Sequence, residues 1–181
     1  MTSDGYAEGR ARVLDARDRG DVTYLLDALV DPYHRALAAS SLGELRADRA
    51  IEPLIRLLSA TDPHVRSSAA TALGDIGSTT ASAPLREVVT YDDDASVRSQ
   101  AIGAIGRISG SADTTKFLLP FLLDPSMKVR SSTAIALGRL GDPRALSPLL
   151  SARRRLWRSP TEWWLFRRAY DDAISALRPL T

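Results

Sequence analysis

An all-α fold, a solenoid of stacked antiparallel helix pairs, is what this sequence predicts, and three observations predict it. The first is a repeat. Leu42-Gly43-Glu44-Leu45 returns as Leu73-Gly74-Asp75-Ile76, Ile105-Gly106-Arg107-Ile108 and Leu137-Gly138-Arg139-Leu140, with the glycines 31, 32 and 32 residues apart. A fixed period of this length marks a single supersecondary unit stacked several times. The second is that apolar residues within each unit recur at helical spacing instead of alternating. The third is shared punctuation, with Asp-Pro openings and late glycines at matching positions.

Taken in order, residues 1–30 read as N-terminal capping helices, 31–150 as four repeats and 151–181 as an Arg/Trp-rich C-terminal cap. Helices are expected to start near Asp31-Pro32, Asp62-Pro63 and Asp142-Pro143, with aspartate as N-cap and proline in the first turn. After Asp62-Pro63, Val65, Ala69, Ala72, Leu73 and Ile76 form one apolar stripe, and Gly77 suits a left-handed C-terminal position. The other helix of each unit carries Pro53, Pro84 or Pro148 near its start. The third unit departs, with Lys116 at that register and Pro120 four residues later. The recurring glycine sits late in a helix, where it costs roughly 1 kcal/mol relative to alanine. A repeated cost implies a repeated need, and close approach of a neighbouring helix is the simplest one.

Composition narrows the function classes. With 44% hydrophobic and 25% charged residues the chain is that of a soluble, folded protein. It has no cysteine, which excludes disulfides, thiolate metal sites and cysteine nucleophiles. The first ten residues lack a signal-peptide core, and the longest apolar run, Phe117 to Leu123, is too short to span a bilayer. A cytoplasmic location is the expectation. The net charge of +2 is unevenly spread: residues 151–181 hold seven arginines against three acids.

A second periodic feature pairs Asp31 with Arg35, Asp62 with Arg66 and Asp94 with Arg98, four apart each time, and Asp124 with Arg130, six apart. Such arginines could form a basic ladder for an anionic ligand. Because each arrives with its own aspartate, the reading adopted is structural: they bond carboxylates in the turns between helices and tie one repeat to the next.

No catalytic constellation stands out. The two histidines, His34 and His64, are read as exposed polar turn residues, since no acidic ligand is placed beside them. No Walker-type glycine loop is present. No cofactor and no metal are expected.

The units Asp62-Pro63-His64-Val65-Arg66 through Gly77, and Val129-Arg130 through Leu137-Gly138-Arg139-Leu140-Gly141-Asp142-Pro143, resemble HEAT repeats, and within them the phycocyanobilin-lyase-like subtype. The likeness spans about residues 20–150. It implies a right-handed, armadillo-type superhelix whose Asp-Pro-x-Val-Arg helices line the concave surface and whose proline-bearing helices line the convex one. Proteins of this class act as scaffolds, adaptors, regulatory subunits, chromophore lyases and a di-iron hydroxylase, so the resemblance implies no single function.

On those helices the positions following the ladder arginine are small and hydroxyl-rich: Ser67, Ser68 and Thr71, then Ser99 and Gln100, then Ser131 and Ser132. Nine places after it the charge runs from Glu44 and Asp75 to Arg107 and Arg139. The C-terminal segment adds Arg153, Arg154, Arg155, Trp157 and Arg158. These residues are the candidate partner-binding set. The expectation is a non-catalytic module that holds a protein partner on its concave face or C-terminal end. Nucleic-acid binding through the Arg/Trp-rich segment is the alternative, and a chromophore-lyase-like activity the second alternative.

Overall fold

The computed structural model describes residues 3–108, 111–156 and 160–177, and every regular element among them is helical. The helices are α1 (Ser3–Arg19), α2 (Val22–Ala28), α3 (Arg35–Glu44), α4 (Ile51–Leu57), α5 (Pro63–Ile76) and α6 (Ser82–Tyr91). They continue as α7 (Ala95–Ile108), α8 (Ala112–Leu118), α9 (Met127–Leu140), α10 (Leu146–Leu156) and α11 (Pro160–Leu177).

Two rows result. The odd-numbered helices from α3 to α11 pack side by side in sequence, whereas α4, α6 and α8 do not pack closely on one another. Each even-numbered helix from α2 to α10 packs on the inner helix that follows it, with the 3-10 segment Leu119–Leu123 serving that role for α8. A tightly spaced row beside a splayed one curves the array, so the odd row is the concave, inner row. Long side chains span the wider outer gaps: Arg86 of α6 reaches Asp113 at 2.8 Å and lies 4.7 Å from the centre of the Phe117 ring in α8.

The glycine repeat sets the inner spacing. A Cβ added at Gly43, Gly74, Gly106 or Gly138 would stand within 3.0 Å of the Cα and Cβ of Ala72, Ala104, Ala136 or Ala173 respectively. Each helix backbone therefore rests directly on the alanine of the next. Ala173 belongs to α11, so the C-terminal helix extends the inner row. The packed pairs are α2/α3, α4/α5, α6/α7, α8/α9 and α10/α11, with α1 laid against α2 and α3. The expected division cuts across this pairing. The boundary at residues 30 and 31 falls inside the first pair, and the one at 150 and 151 falls inside α10, because side-chain packing joins an outer helix to the inner helix after it.

Local chemistry explains the element ends. The Asp62 side chain accepts the His64 amide at 2.8 Å, Asp94 accepts those of Ser96 and Val97, and Asp142 accepts that of Arg144. Gly77 and Gly141 end α5 and α9 with φ of 82° and 68°, conformations that side chains resist. Pro120 supplies no amide, and the outer helix α8 gives way to 3-10 geometry there. One helix start differs from expectation. Asp31 uses its side chain to hold the Tyr33 amide and its carbonyl to hold those of His34 and Arg35, so a turn precedes α3 and the helix begins at Arg35.

One continuous core runs between the rows, with Leu25, Leu42, Leu54, Leu73, Leu85, Ile105, Leu137, Leu149 and Tyr170 fully buried. A helix pair alone would leave one of these faces wet, and stacking removes it from water.

Candidate partner-binding face

Two of the ladder arginines, Arg66 and Arg98, are inter-repeat ties, and their partners are not the aspartates four residues away. Arg66 donates through Nε and Nη2 to Asp92 at 2.7 and 2.9 Å, and through Nη1 to the Ala60 and Thr61 carbonyls. Arg98 repeats the arrangement with Asp124 at 3.2 and 3.4 Å and with the Asp92 and Asp93 carbonyls. Arg130 donates to the Asp124 and Pro125 carbonyls. Asp62 and Asp94 instead cap their own helices, and Ser126 stands at that register in the next repeat. Asp124 is therefore the equivalent of Asp92, each also accepting the amide two residues on, which accounts for the irregular spacing of the fourth pair. Burial opposes ionisation of Asp92, but the Arg66 hydrogen bonds and the Asp94 amide outweigh it and hold its carboxyl below the usual range. Position 60, which would face Arg35, is alanine, and Arg35 reaches only the carbonyls of Val30 and Asp31.

His34 also departs from expectation. It is buried, with only 3% of its surface exposed, and stacks on the Tyr6 ring of α1. Its Nδ1 lies 2.7 Å from Asp31 Oδ2 and its Nε2 lies 3.1 Å from the Tyr6 carbonyl oxygen. Both partners are acceptors, so the site is fully bonded when both ring nitrogens carry a proton, which favours the cationic imidazole. The Asp31 hydrogen bond raises its pKa against the opposing effect of burial. His64, in contrast, is exposed.

The solvent-open stripe of each inner helix follows i, i+4, i+7, i+11 spacing. In α9 it is Lys128, Ser132, Ile135 and Arg139, and in α7 Ser96, Gln100, Gly103 and Arg107. In α5 it is His64, Ser68, Thr71 and Asp75. Of the candidate residues, Ser68, Thr71, Gln100, Arg107, Ser132 and Arg139 thus share one face. Ser131 is buried and leaves the set. Ser99 turns into the seam, where its hydroxyl meets that of Ser132 at 2.7 Å. Ser67 is half-buried, and its carbonyl accepts the Thr71 hydroxyl.

The charge gradient is partly internal. Arg107 crosses back over Gly74 to within 3.3 Å of Asp75 and donates to the Thr71 carbonyl, so it is not the unpaired cation the sequence suggested. Glu44 lies 3.5 Å from Arg17. Glu44, Arg46, Asp75 and Arg107 line an open hollow of about 520 Å³ across the C-terminal ends of α3, α5 and α7. Sequence reading missed Lys128 and placed no weight on Ile135; both stand on the same stripe as Ser132 and Arg139, so the helical period could have found them.

At the C-terminal end, Arg153 is engaged with Asp171 at 2.6 Å, which joins α10 to α11. Arg154, Arg155 and Arg168 are exposed. Trp157 and Arg158 lie outside the described residues, as do the side chains of Trp163 and Trp164. No group of three or more potential metal-ligating side chains occurs among the described residues, and no helix among them is long and apolar enough to cross a membrane.

Stacked antiparallel helix pairs, locked by glycine-on-alanine contacts and arginine ties, define an α-solenoid. The HEAT repeats profile matches residues 22–106 and 89–160, and the chain belongs to the HEAT-repeat family. A search of curated protein sequences gave no significant match. Among solved structures, the complex of CpcE and CpcF of phycocyanin lyase from Nostoc sp. PCC7120 is similar with a TM-score of 0.63 at 17% identity, over 88% of this chain and 99% of that one. An engineered protein is similar with a TM-score of 0.58 at 20% identity, over 93% and 83% of the two chains. Human deoxyhypusine hydroxylase in complex with glycerol gives 0.50 at 20% identity, over 92% and 78%. At these identities the likeness is one of fold.

Proposed function

We propose that this protein is a non-catalytic interaction module, a scaffold, adaptor or regulatory subunit, that holds a protein partner on its inner face. The observation that carries this reading is the common register of the inner helices. Helices α5, α7 and α9 each present a four-residue stripe to solvent at the same register, so their stripes merge into one continuous, mostly polar face. Extended concave surfaces of this kind are what repeat proteins use for binding. A photo-crosslinking residue placed at Gln100, on the inner face, is expected to capture a partner in extracts of the source cell. The same residue at Glu87, exposed on an outer helix, is not. Equal capture from both positions, or none from Gln100, would refute the reading.

A second reading, nucleic-acid binding, is favoured by the exposed Arg139, Arg154 and Arg155 toward the C-terminal end. Phosphate tracking needs several such unpaired cations.

A further inference from the structure

Two cations on the α9 stripe have no carboxylate partner among the described residues. Arg139 is exposed, and Lys128 donates to the Ser96 hydroxyl alone, at 3.2 Å. Between them Ile135 is 41% exposed. At the matching register of α7 stands Gly103, where an added Cβ would meet nothing nearer than Arg107 Nη1 at 3.7 Å. An apolar step and an open notch thus lie side by side with positive charge at both ends. Toward the N-terminus Arg107 is matched by Asp75 and Glu44 by Arg17, and Arg46 borders the same hollow as Glu44 and Asp75.

We propose that the α7–α9 part of the inner face docks an acidic, extended segment of a protein partner. One apolar side chain of that segment sits on Ile135 over the Gly103 notch, and carboxylates on either side meet Lys128 and Arg139. This rests on the interaction-module reading and gives the partner its chemistry. The spacing defines the segment. At roughly 1.5 Å per residue along a helix, Arg139 lies about 6 Å and Lys128 about 10 Å from Ile135. An extended chain advancing roughly 3.3 Å per residue covers these distances in about two and three residues. The occupant therefore carries one acid two places from its apolar residue and another three places away on the other side. An oligonucleotide supplies the negative charge evenly along its backbone, not as two acids flanking one apolar side chain.

The probe is a fluorescein-labelled peptide of glycines with glutamates two places before and three places after a single leucine, together with its reversed sequence. Anisotropy titrations on the full chain compare these with a peptide carrying glutamine for glutamate, one carrying serine for leucine, and a labelled single-stranded DNA. Saturable binding of a Glu/Leu peptide is expected, at least tenfold tighter than that of either control or of the DNA. Gly103→Leu fills the notch, where an added Cβ meets only Arg107 Nη1 at an ordinary contact distance, so the variant is expected to melt no lower than wild type and yet lose the peptide. Arg139→Glu and Ile135→Asp should weaken binding at least tenfold. Failure of both orientations to bind, binding unaffected by Gly103→Leu, or tighter binding of the DNA would each overturn the proposal. A partner crosslinked from Gln100 whose capture survives Gly103→Leu and Arg139→Glu would sink this site and leave the interaction-module reading intact.

Discussion

Gly106 and Ala136 meet backbone to backbone, so closely that a methyl group on Gly106 would stand 2.8 Å from the alanine Cβ and 3.0 Å from its Cα. Three residues earlier on the same helix, a Cβ on Gly103 would meet only Arg107 Nη1, at an ordinary contact distance of 3.7 Å. The two glycines make opposite predictions for one substitution. Gly106→Ala gains helix propensity but forces the helices apart, and is expected to destabilise by about 1–3 kcal/mol. Gly103→Ala meets no obstacle and should stabilise by roughly 0.4–1 kcal/mol. Urea denaturation of the two variants checks this, and shifts of the same sign would contradict it.

The arginine ties differ in strength along the array. Arg66 and Asp92 are both largely buried and doubly bonded, so Arg66→Ala strands a buried carboxylate and should cost about 3–5 kcal/mol. Arg35 reaches only backbone carbonyls, and Arg35→Ala should cost about 1 kcal/mol. Equal losses of stability in the two variants would show that the carbonyl contacts, and not the ion pair, hold the repeats together.

His34 makes the docking of α1 depend on pH. Its pKa is raised in the folded protein, so its contribution is complete below the unfolded value of about 6.5 and is lost as pH rises through the folded one. Asp31 is lowered, first by the His34 hydrogen bond and then by the Tyr33 amide. Its contribution is complete above about pH 3.8 and lost as pH falls through the folded value. Tyr6, Tyr24 and Asp27 also border the site, and Arg35 acts on Asp31. Stability from this contact is thus greatest between about pH 4 and 6.5. The melting-temperature advantage of wild type over His34→Gln should shrink on going from mildly acidic to alkaline solution. A pH-independent difference would show that His34 acts by packing alone.

The arginine run in the last turn of α10 separates into structural and free members. Changing Arg154 and Arg155 to glutamine should leave stability within about 0.5 kcal/mol of wild type, because both are exposed. Changing Arg153 should cost more, through its contact with Asp171. If the nucleic-acid reading holds, the Arg154/Arg155 double variant loses a short DNA that wild type binds with steep salt dependence. No binding by wild type at low salt removes that reading.

The inner helices were legible because one period governs both glycine and apolar stripe: Gly74, Leu73 and Val65 announce a face, a close approach and a core position at once. Pairing was less legible. Asp94 four residues before Arg98 has the spacing of an ion pair, yet its carboxylate is occupied by the Ser96 and Val97 amides. The true partner, Asp124, is 26 residues away across a seam that no local pattern encodes. His34 was misread for a similar reason, since its burial comes from α1, a helix outside the repeat. The binding face was half legible, because hydroxyls were visible in the sequence while the engagement of Arg107 with Asp75 depends on the distance between neighbouring repeats.

The alanine at position 60 has a consequence for how the chain comes apart. Opening of a repeat array is governed by its separate seams, and a seam lacking its ion pair yields before those that have one. Between α3 and α5 the glycine contact of Gly43 with Ala72 persists, but no carboxylate waits for Arg35. Fluctuations should therefore detach α1 to α3 as a cooperative block while α5 to α9, held by Arg66 and Arg98, stay shut. Amide protons of α3 would then exchange with solvent together and ahead of those in α7, giving the molecule a built-in order of unfolding that starts from its N-terminal end.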